Sequence, residues 1–188
     1  MKLFGHRFPF TLTILSLSFF HFTTTHGDTP QASCNIEFVG SSTIGDFPGE
    51  VSGQDFDVQF HDNLWDWDIQ IPVNEIDTYN SIQNKKMSHM FDSENFPFIE
   101  GNFRNMSTNG EEDAITFVMT IKDIKKNIVA KVSNWKTNET NVSFDLNFPI
   151  LLKDFKLKRP SFLGILKVVE KVDTTAHFTI YLPSQLQR

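Results

Sequence analysis

The chain of 188 residues carries 17 lysines and arginines against 23 aspartates and glutamates, a formal net charge of −6. This acidic balance argues against nucleic acid and anionic membrane surfaces as partners. Cys34 is the only cysteine in the sequence, so an internal disulfide framework is excluded and the fold must be held by its apolar core.

The N-terminus has the pattern of a secretory signal peptide. Lys2 and Arg7 precede an apolar stretch over residues 8–22, and small and polar residues follow it. The apolar stretch is shorter than the ~20 residues of a membrane-spanning helix. We therefore predict a signal peptide over residues 1–27 and a single domain over residues 28–188. We expect a periplasmic or secreted protein with no integral membrane segment in the mature chain.

Alternation of apolar and polar residues predicts β-strands along the rest of the chain. The clearest segment, 64–73, reads L-W-D-W-D-I-Q-I-P-V and places its tryptophans and isoleucines on one face and its aspartates on the other. A Gly- and Pro-rich corner is predicted at 45–49, and short links between the later strands indicate antiparallel neighbours. The predicted strands lie near 34–41, 50–60, 64–73, 98–106, 114–121, 127–135, 141–152 and 168–182.

The segment 78–91 departs from this alternation. Met87, Met90 and Phe91 fall at helical spacing, and Pro97 prevents a helix from continuing beyond Phe96. We predict a single short amphipathic helix between strands 3 and 4. Inside an all-β chain, such a helix has to pack against a sheet or cover the mouth of a barrel.

Eight strands with their apolar faces turned one way favour closure into an antiparallel barrel, because closure removes exposed edges. A barrel of about eight strands is either filled by its own side chains or holds one small ligand. Cores and pockets use the same residue types, so the pattern leaves both alternatives open.

Residues for catalysis or metal binding are sparse. The predicted mature chain contains three histidines, His61, His89 and His177, and none lies in a recognisable catalytic or metal-binding motif. Asp66 and Asp68 alternate with tryptophans and are expected to face solvent. We predict no catalytic site, no metal and no cofactor. An enzyme that uses His61 or His89 as a base is kept as an alternative.

Three segments, taken together and in order, resemble the YceI-like family. They are F-V-G-S-S-T-I-G-D-F-P-G-E-V-S-G over 38–53, the helix-containing stretch V-N-E-I-D-T-Y-N-S-I-Q-N-K-K-M-S-H-M-F-D-S-E-N-F-P-F-I-E-G over 73–101, and L-K-D-F-K-L-K-R-P-S-F-L-G-I over 152–165. The resemblance implies an exported, lipocalin-like, eight-stranded antiparallel barrel whose lumen binds a long-chain isoprenoid or similar lipid. It does not imply catalysis.

On this basis we expect a protein that carries or sequesters a lipid. The alternative is a structural or interaction module whose barrel is filled by its own side chains and which acts through its surface. A homodimer is compatible with the sequence. Lys158 and Arg159 are candidates for contact with a lipid head group. The candidate ligand-binding residues of the lumen and its rim are Trp65, Trp67, Ile69, Ile71, Met87, Met90, Phe91, Phe96, Phe117, Met119, Phe144, Leu146, Phe148, Phe162 and Leu163.

Overall fold

The computed structural model describes residues 31–42, 45–107, 109–158, 161–162 and 166–182. The predicted signal peptide lies outside these residues. The strands are β1 (Gln31–Ser42), β2 (Gly45–His61), β3 (Leu64–Pro72), β4 (Phe98–Ser107), β5 (Ala114–Ile121), β6 (Ile124–Thr137), β7 (Asn141–Leu151), β8 (Ser161–Phe162) and β9 (Leu166–Tyr181). The α-helix α1 (Ser81–Phe91) lies between β3 and β4, and short 3-10 helices occupy Val73–Glu75 and Leu152–Phe155.

The sheet closes on itself and forms a barrel. Strands β1 to β7 pair in chain order, β7 pairs with β9, and β9 returns to pair with β1. All these pairings are antiparallel, while the two-residue β8 pairs with β9 alone among the described strands. The predicted eight-stranded antiparallel barrel, with its helix between strands 3 and 4, is confirmed.

The predicted corner at 45–49 is wrong, because this segment is the first part of β2. Pairing of β1 with β2 begins at Ser42 and Gly45 and continues through Phe38 and Gly49. The Phe38 ring lies over Gly49, where a side chain would collide with it. Gly49 makes room for an aromatic ring from the neighbouring strand. A glycine covered in this way is compatible with a paired strand.

The alternating residues of β3 divide between the barrel interior and its outer surface, as predicted. Trp65, Trp67, Ile69 and Ile71 are buried, whereas Asp68 is exposed. On the outside, the Asp68 carboxylate accepts hydrogen bonds from both a guanidinium nitrogen of Arg104, at 2.6 Å, and the Asn102 amide, at 2.7 Å. Asp68 is therefore a solvated, paired side chain of the outer face.

Helix α1 begins at a well-formed cap. The Asn80 side chain accepts hydrogen bonds from the backbone N–H groups of Ile82, at 3.0 Å, and Gln83, at 3.2 Å. These two donors have no partner within the first turn of a helix, so the cap stabilises its start. The helix ends at Phe91, and the next residue, Asp92, caps it in the left-handed conformation.

Replacing Asn80 by alanine is expected to destabilise helix α1 by ~1 kcal/mol, because two backbone donors lose their acceptor. Hydrogen exchange should show faster exchange in the first turn of α1. Ser81→Ala, one residue further along on the exposed side, is the matched control and is expected to leave exchange unchanged. If both variants accelerate hydrogen exchange in the first turn equally, the Asn80 side chain is not what stabilises the start of the helix.

Candidate functional site

The barrel interior is divided along its length into a packed end and a hollow end. Inward-facing residues of β3 show the division, because Trp67 lies in the packed part and Ile69 and Ile71 face the cavity. The strand register places Ile69 opposite Gly101 of β4 and Ile71 opposite Ile99. The hollow part is therefore the end that carries helix α1.

Five aromatic side chains fill the interior next to the hollow end. We call them the aromatic plug: Trp67, Phe103, Phe117, Phe144 and Phe178. Ring centroids of Trp67 and Phe103 are 4.6 Å apart, those of Phe103 and Phe117 4.4 Å, and those of Phe144 and Phe178 5.3 Å. All three pairs are stacked with their planes within 15° of parallel. Such close aromatic contacts add to the stability gained from burial alone.

The cavity lies between the plug and helix α1, and its exposed wall is apolar throughout. Met87, Met90 and Phe91 of α1 cover it, and Phe103, Phe117 and Phe178 of the plug form its floor. Methionine side chains are flexible and polarizable, so they conform to irregular apolar partners. A rigid floor is thus combined with an adaptable cover.

The cavity has a volume of about 130 Å³, counted as the positions open to the centre of a water-sized sphere. On this measure, one water molecule needs ~10–15 Å³ and two to four polar partners. Of the lining residues, Glu100 and Thr174 have polar side chains, but the wall area open to the cavity is apolar, so water gains little there. The space suits an apolar guest rather than a cluster of ordered water.

Helix α1 is tied to the barrel at its start through Asp77 and Asn84. Asp77 and Glu50 of β2 exchange two backbone hydrogen bonds, at 2.8 and 2.9 Å. The Asn84 amide nitrogen donates to the Asp77 carboxylate at 2.9 Å, and its oxygen accepts from the backbone and hydroxyl of Thr78, at 2.8 and 2.6 Å. The cover of the cavity is therefore held to the wall by a defined polar network.

The far end of α1 is also fixed. The hydroxyl groups of Ser88 and Ser93 are 2.6 Å apart, and Ser88 donates to the Asn74 side-chain oxygen at 3.1 Å. Asn74 belongs to the 3-10 helix that follows β3. Because both ends of α1 are anchored, guest entry is expected to depend on movement of its methionine side chains.

The network at Asp77 is expected to make the cover of the cavity sensitive to pH. Hydrogen bonds from the Asn84 side chain and the Tyr79 backbone favour the carboxylate and lower the pKa of Asp77 below its ordinary 3.8. A lowered pKa in the folded state stabilises the fold above the ordinary value, and this contribution is lost as the pH falls through the folded pKa. The methyl NMR signals of Met87 and Met90 should therefore move toward motionally averaged chemical shifts as the pH falls below 3.8.

The control is Asp77→Asn, which cannot ionise. Its methionine signals are expected to lack the acid-induced shift in that pH range. An identical shift in the variant and the parent protein would assign the transition to other carboxylates.

The candidate residues divide between these two parts of the barrel. Those in the cavity wall are Ile69, Ile71, Met87, Met90, Phe91, Phe117, Met119 and Phe148. Those buried behind the wall, outside its surface, are Trp65, Trp67, Phe144 and Leu146. The aromatic members of this second group belong to a network of ring contacts. The ring centroids of Trp67 and Phe144 are 6.3 Å apart, and Trp135 stacks on both Trp65, at 6.4 Å, and Phe144, at 5.0 Å.

Of the remaining candidates, Phe96 and Lys158 are described with their side chains, and neither belongs to the wall. Phe96 is half-buried, and the Lys122 ammonium lies 5.8 Å from its ring centroid. Lys158 is exposed. Arg159 and Leu163 lie outside the described residues, and of Phe162 the structure describes the backbone alone.

Several wall residues were absent from the sequence-based set. Ile36 and Phe38 of β1 and Ala176 of β9 contribute to the wall, together with Ile99 and Gly101 of β4. The β1 and β9 positions follow the same alternation as the chosen residues, so the pattern contains the signal. What it lacks is the strand register, which decides the layer of the barrel that each inward residue occupies.

The three histidines of the described residues lie outside the cavity wall. His61, at the end of β2, and His89 of α1 are exposed, and neither contributes to the wall. His177 lies on the outer face, with its Nδ1 atom 2.7 Å from the Asp145 carboxylate. In the described part of the chain, no group of histidine, cysteine or acidic side chains is arranged to hold a metal ion. The alternative that used His61 or His89 as a base on a bound lipid has no support from this geometry.

Fold and cavity together define a lipocalin-like barrel with an apolar pocket beneath a helix. The YceI-like domain model matches residues 16–180, and the chain therefore belongs to the YceI-like family. No curated protein sequence matches the chain. Within the described residues, no helix has both the length and the apolar character needed to cross a bilayer.

Solved structures share the fold at low sequence identity. BcnA of Burkholderia cenocepacia has a TM-score of 0.64 at 17% identity, over 78% of this chain and 95% of that protein. A polyisoprenoid-binding domain from Saccharophagus degradans, implicated in plant cell wall breakdown, has a TM-score of 0.63 at 11% identity, over 82% and 99%. The YceI protein of Campylobacter jejuni has a TM-score of 0.57 at 15% identity, over 72% and 85%.

Proposed function

We propose that this protein is an exported carrier that holds the apolar chain of an isoprenoid or similar lipid in the cavity, for transport, storage or sequestration. The observation that carries the proposal is a cavity whose exposed wall area is apolar, closed on one side by the aromatic plug and covered on the other by the methionines of α1. The description of the Saccharophagus degradans domain as polyisoprenoid-binding agrees with a ligand of this class.

The physical chemistry of the wall supports binding through burial alone. Removing apolar area from water is favourable by ~25 cal/mol per Å². A chain of CH₂ and CH₃ groups needs no polar partner in the wall, and the wall exposes no polar atoms. Binding of this kind requires no catalytic group.

We propose eight of the sequence-based candidates as ligand contacts, namely Ile69, Ile71, Met87, Met90, Phe91, Phe117, Met119 and Phe148. Phe162 and Leu163 near one mouth, and Lys158 and Arg159 as contacts for a polar head group, remain part of the proposal. Export by a signal peptide over residues 1–27, followed by a single domain, completes it.

The test is mass spectrometry under non-denaturing conditions on gently purified full chain, followed by titration of the delipidated protein with an apolar fluorophore. We expect a co-purified lipid, or saturable uptake of the fluorophore that farnesol displaces. Absence of both would overturn the carrier and would favour a barrel that acts through its outer surface.

A further inference from the structure

We propose that the aromatic plug is a stop that sets how much of an apolar chain the barrel takes up. This inference rests on the proposed function, because it assumes that an apolar chain enters the cavity. It adds a selection rule to that function: chain length beyond the depth of the cavity contributes nothing to affinity.

Phe103 is the central residue of the stop. Its ring is sandwiched between Trp67, at 4.6 Å, and Phe117, at 4.4 Å, and meets the Phe178 ring edge-on at 5.6 Å. Phe103, Phe117 and Phe178 face the cavity, whereas Trp67 lies behind them. A chain that reaches Phe103 therefore meets a ring supported from three sides.

Gly101, two residues before Phe103 on β4, makes room for this ring. A side chain at Gly101 would have its Cβ atom 3.0 Å from the Phe103 ring and 3.0 Å from the Ile69 Cγ2 atom. The ring thus lies close to the backbone of its own strand, in a space that alanine would already crowd. Phe103 is 3% exposed, and moving it aside would break contacts on both of its faces.

The strand register gives the depth above the stop. The cavity begins at Phe103, which pairs with Trp67, and runs past Ile69 and Ile71 toward the end of β3, and β3 itself ends at Pro72. Five residues at ~3.3 Å each, along a strand tilted by ~40°, correspond to a depth of ~13 Å. We expect farnesol to fill this depth and the longer isoprenoid alcohols to leave their additional units outside.

The experiment measures displacement of an apolar fluorophore from the delipidated full chain by geraniol, farnesol, geranylgeraniol and solanesol. For each isoprene unit that is buried, we expect roughly tenfold tighter binding, since ligand atoms contribute ~0.3 kcal/mol each. Affinity should rise from geraniol to farnesol and then stay within about threefold up to solanesol.

Phe103→Leu removes an aromatic ring from the cavity floor and is expected to deepen the cavity. Phe144→Leu is its matched control. Phe144 belongs to the same plug and packs on Phe178 at 5.3 Å, but it lies behind the cavity wall. We expect Phe103→Leu to move the plateau to geranylgeraniol and Phe144→Leu to leave it at farnesol. Phe117→Leu, at the same floor, is the second variant if Phe103→Leu does not fold.

The outcomes separate the stop from the carrier. Affinity that continues to rise through solanesol in the parent protein overturns the stop and leaves the carrier intact. A plateau that neither floor variant moves, or that Phe144→Leu moves equally, also overturns the stop. If none of the four alcohols displaces the fluorophore, the proposed function fails and the stop fails with it.

Discussion

Replacing Ala176 by phenylalanine is expected to weaken the binding of an apolar ligand roughly 60-fold. Ala176 is a buried wall residue of β9, so the added ring occupies space that the ligand needs. Excluding a ligand from ~100 Å² of apolar wall loses ~2.5 kcal/mol, which corresponds to this factor in Kd. Displacement of an apolar fluorophore measures the loss, and circular dichroism checks that the barrel is intact.

Two leucine substitutions, at Ala176 and at Ala130, distinguish an effect of filling the cavity from damage to the fold. Ala176→Leu also enters the cavity and is expected to raise stability by ~0.5–2 kcal/mol, because it fills a void. Ala130→Leu makes the same change at a fully buried position away from the cavity wall, where overpacking costs ~1–3 kcal/mol. If Ala176→Phe binds ligand as the parent protein does, the cavity is not the binding site.

Replacing Trp67 by alanine is expected to produce the largest loss of stability in the barrel, ~3–5 kcal/mol. The indole is 2% exposed and contacts the Phe103 ring at 4.6 Å and the Phe178 ring at 5.7 Å. Its removal leaves a void behind the cavity floor. Thermal unfolding should show a decrease in Tm on the order of 10 °C.

Trp67→Phe is the control, and it is expected to cost much less. The Trp67 Nε1 atom is buried and has no hydrogen-bond acceptor, so the indole already carries an unsatisfied donor. Phenylalanine keeps an aromatic ring and removes that donor, which offsets part of the lost contact area. A loss as large as that of Trp67→Ala would show that indole size, rather than aromatic packing, determines the effect.

The barrel was predictable because its signals are local. Alternation along β3 and β7 is a property of consecutive residues, and so is the helical spacing of Met87, Met90 and Phe91 in α1. The segment 45–49 misled for the same reason. Glycine and proline there indicate a corner when read alone, and the ring of Phe38 over Gly49 becomes visible once β1 and β2 are paired.

The division of the interior was not predictable from the sequence. Trp67 and Ile69 are two residues apart on the same face of the same strand, yet one lies in the plug and the other in the cavity wall. The difference comes from what lies opposite, since β4 presents Phe103 to Trp67 and Gly101 to Ile69. Such pairings connect residues far apart in the chain, and alternation carries no information about them.

The closed end of the barrel also fixes the direction of any guest. If the plug blocks passage through the barrel as proposed, a ligand with an apolar tail and a polar head would enter tail first and leave head first by the same end. Every loaded copy would then present its cargo with the same polarity, next to helix α1. A donor and an acceptor would have to approach this one end in turn, which makes loading and delivery mutually exclusive steps.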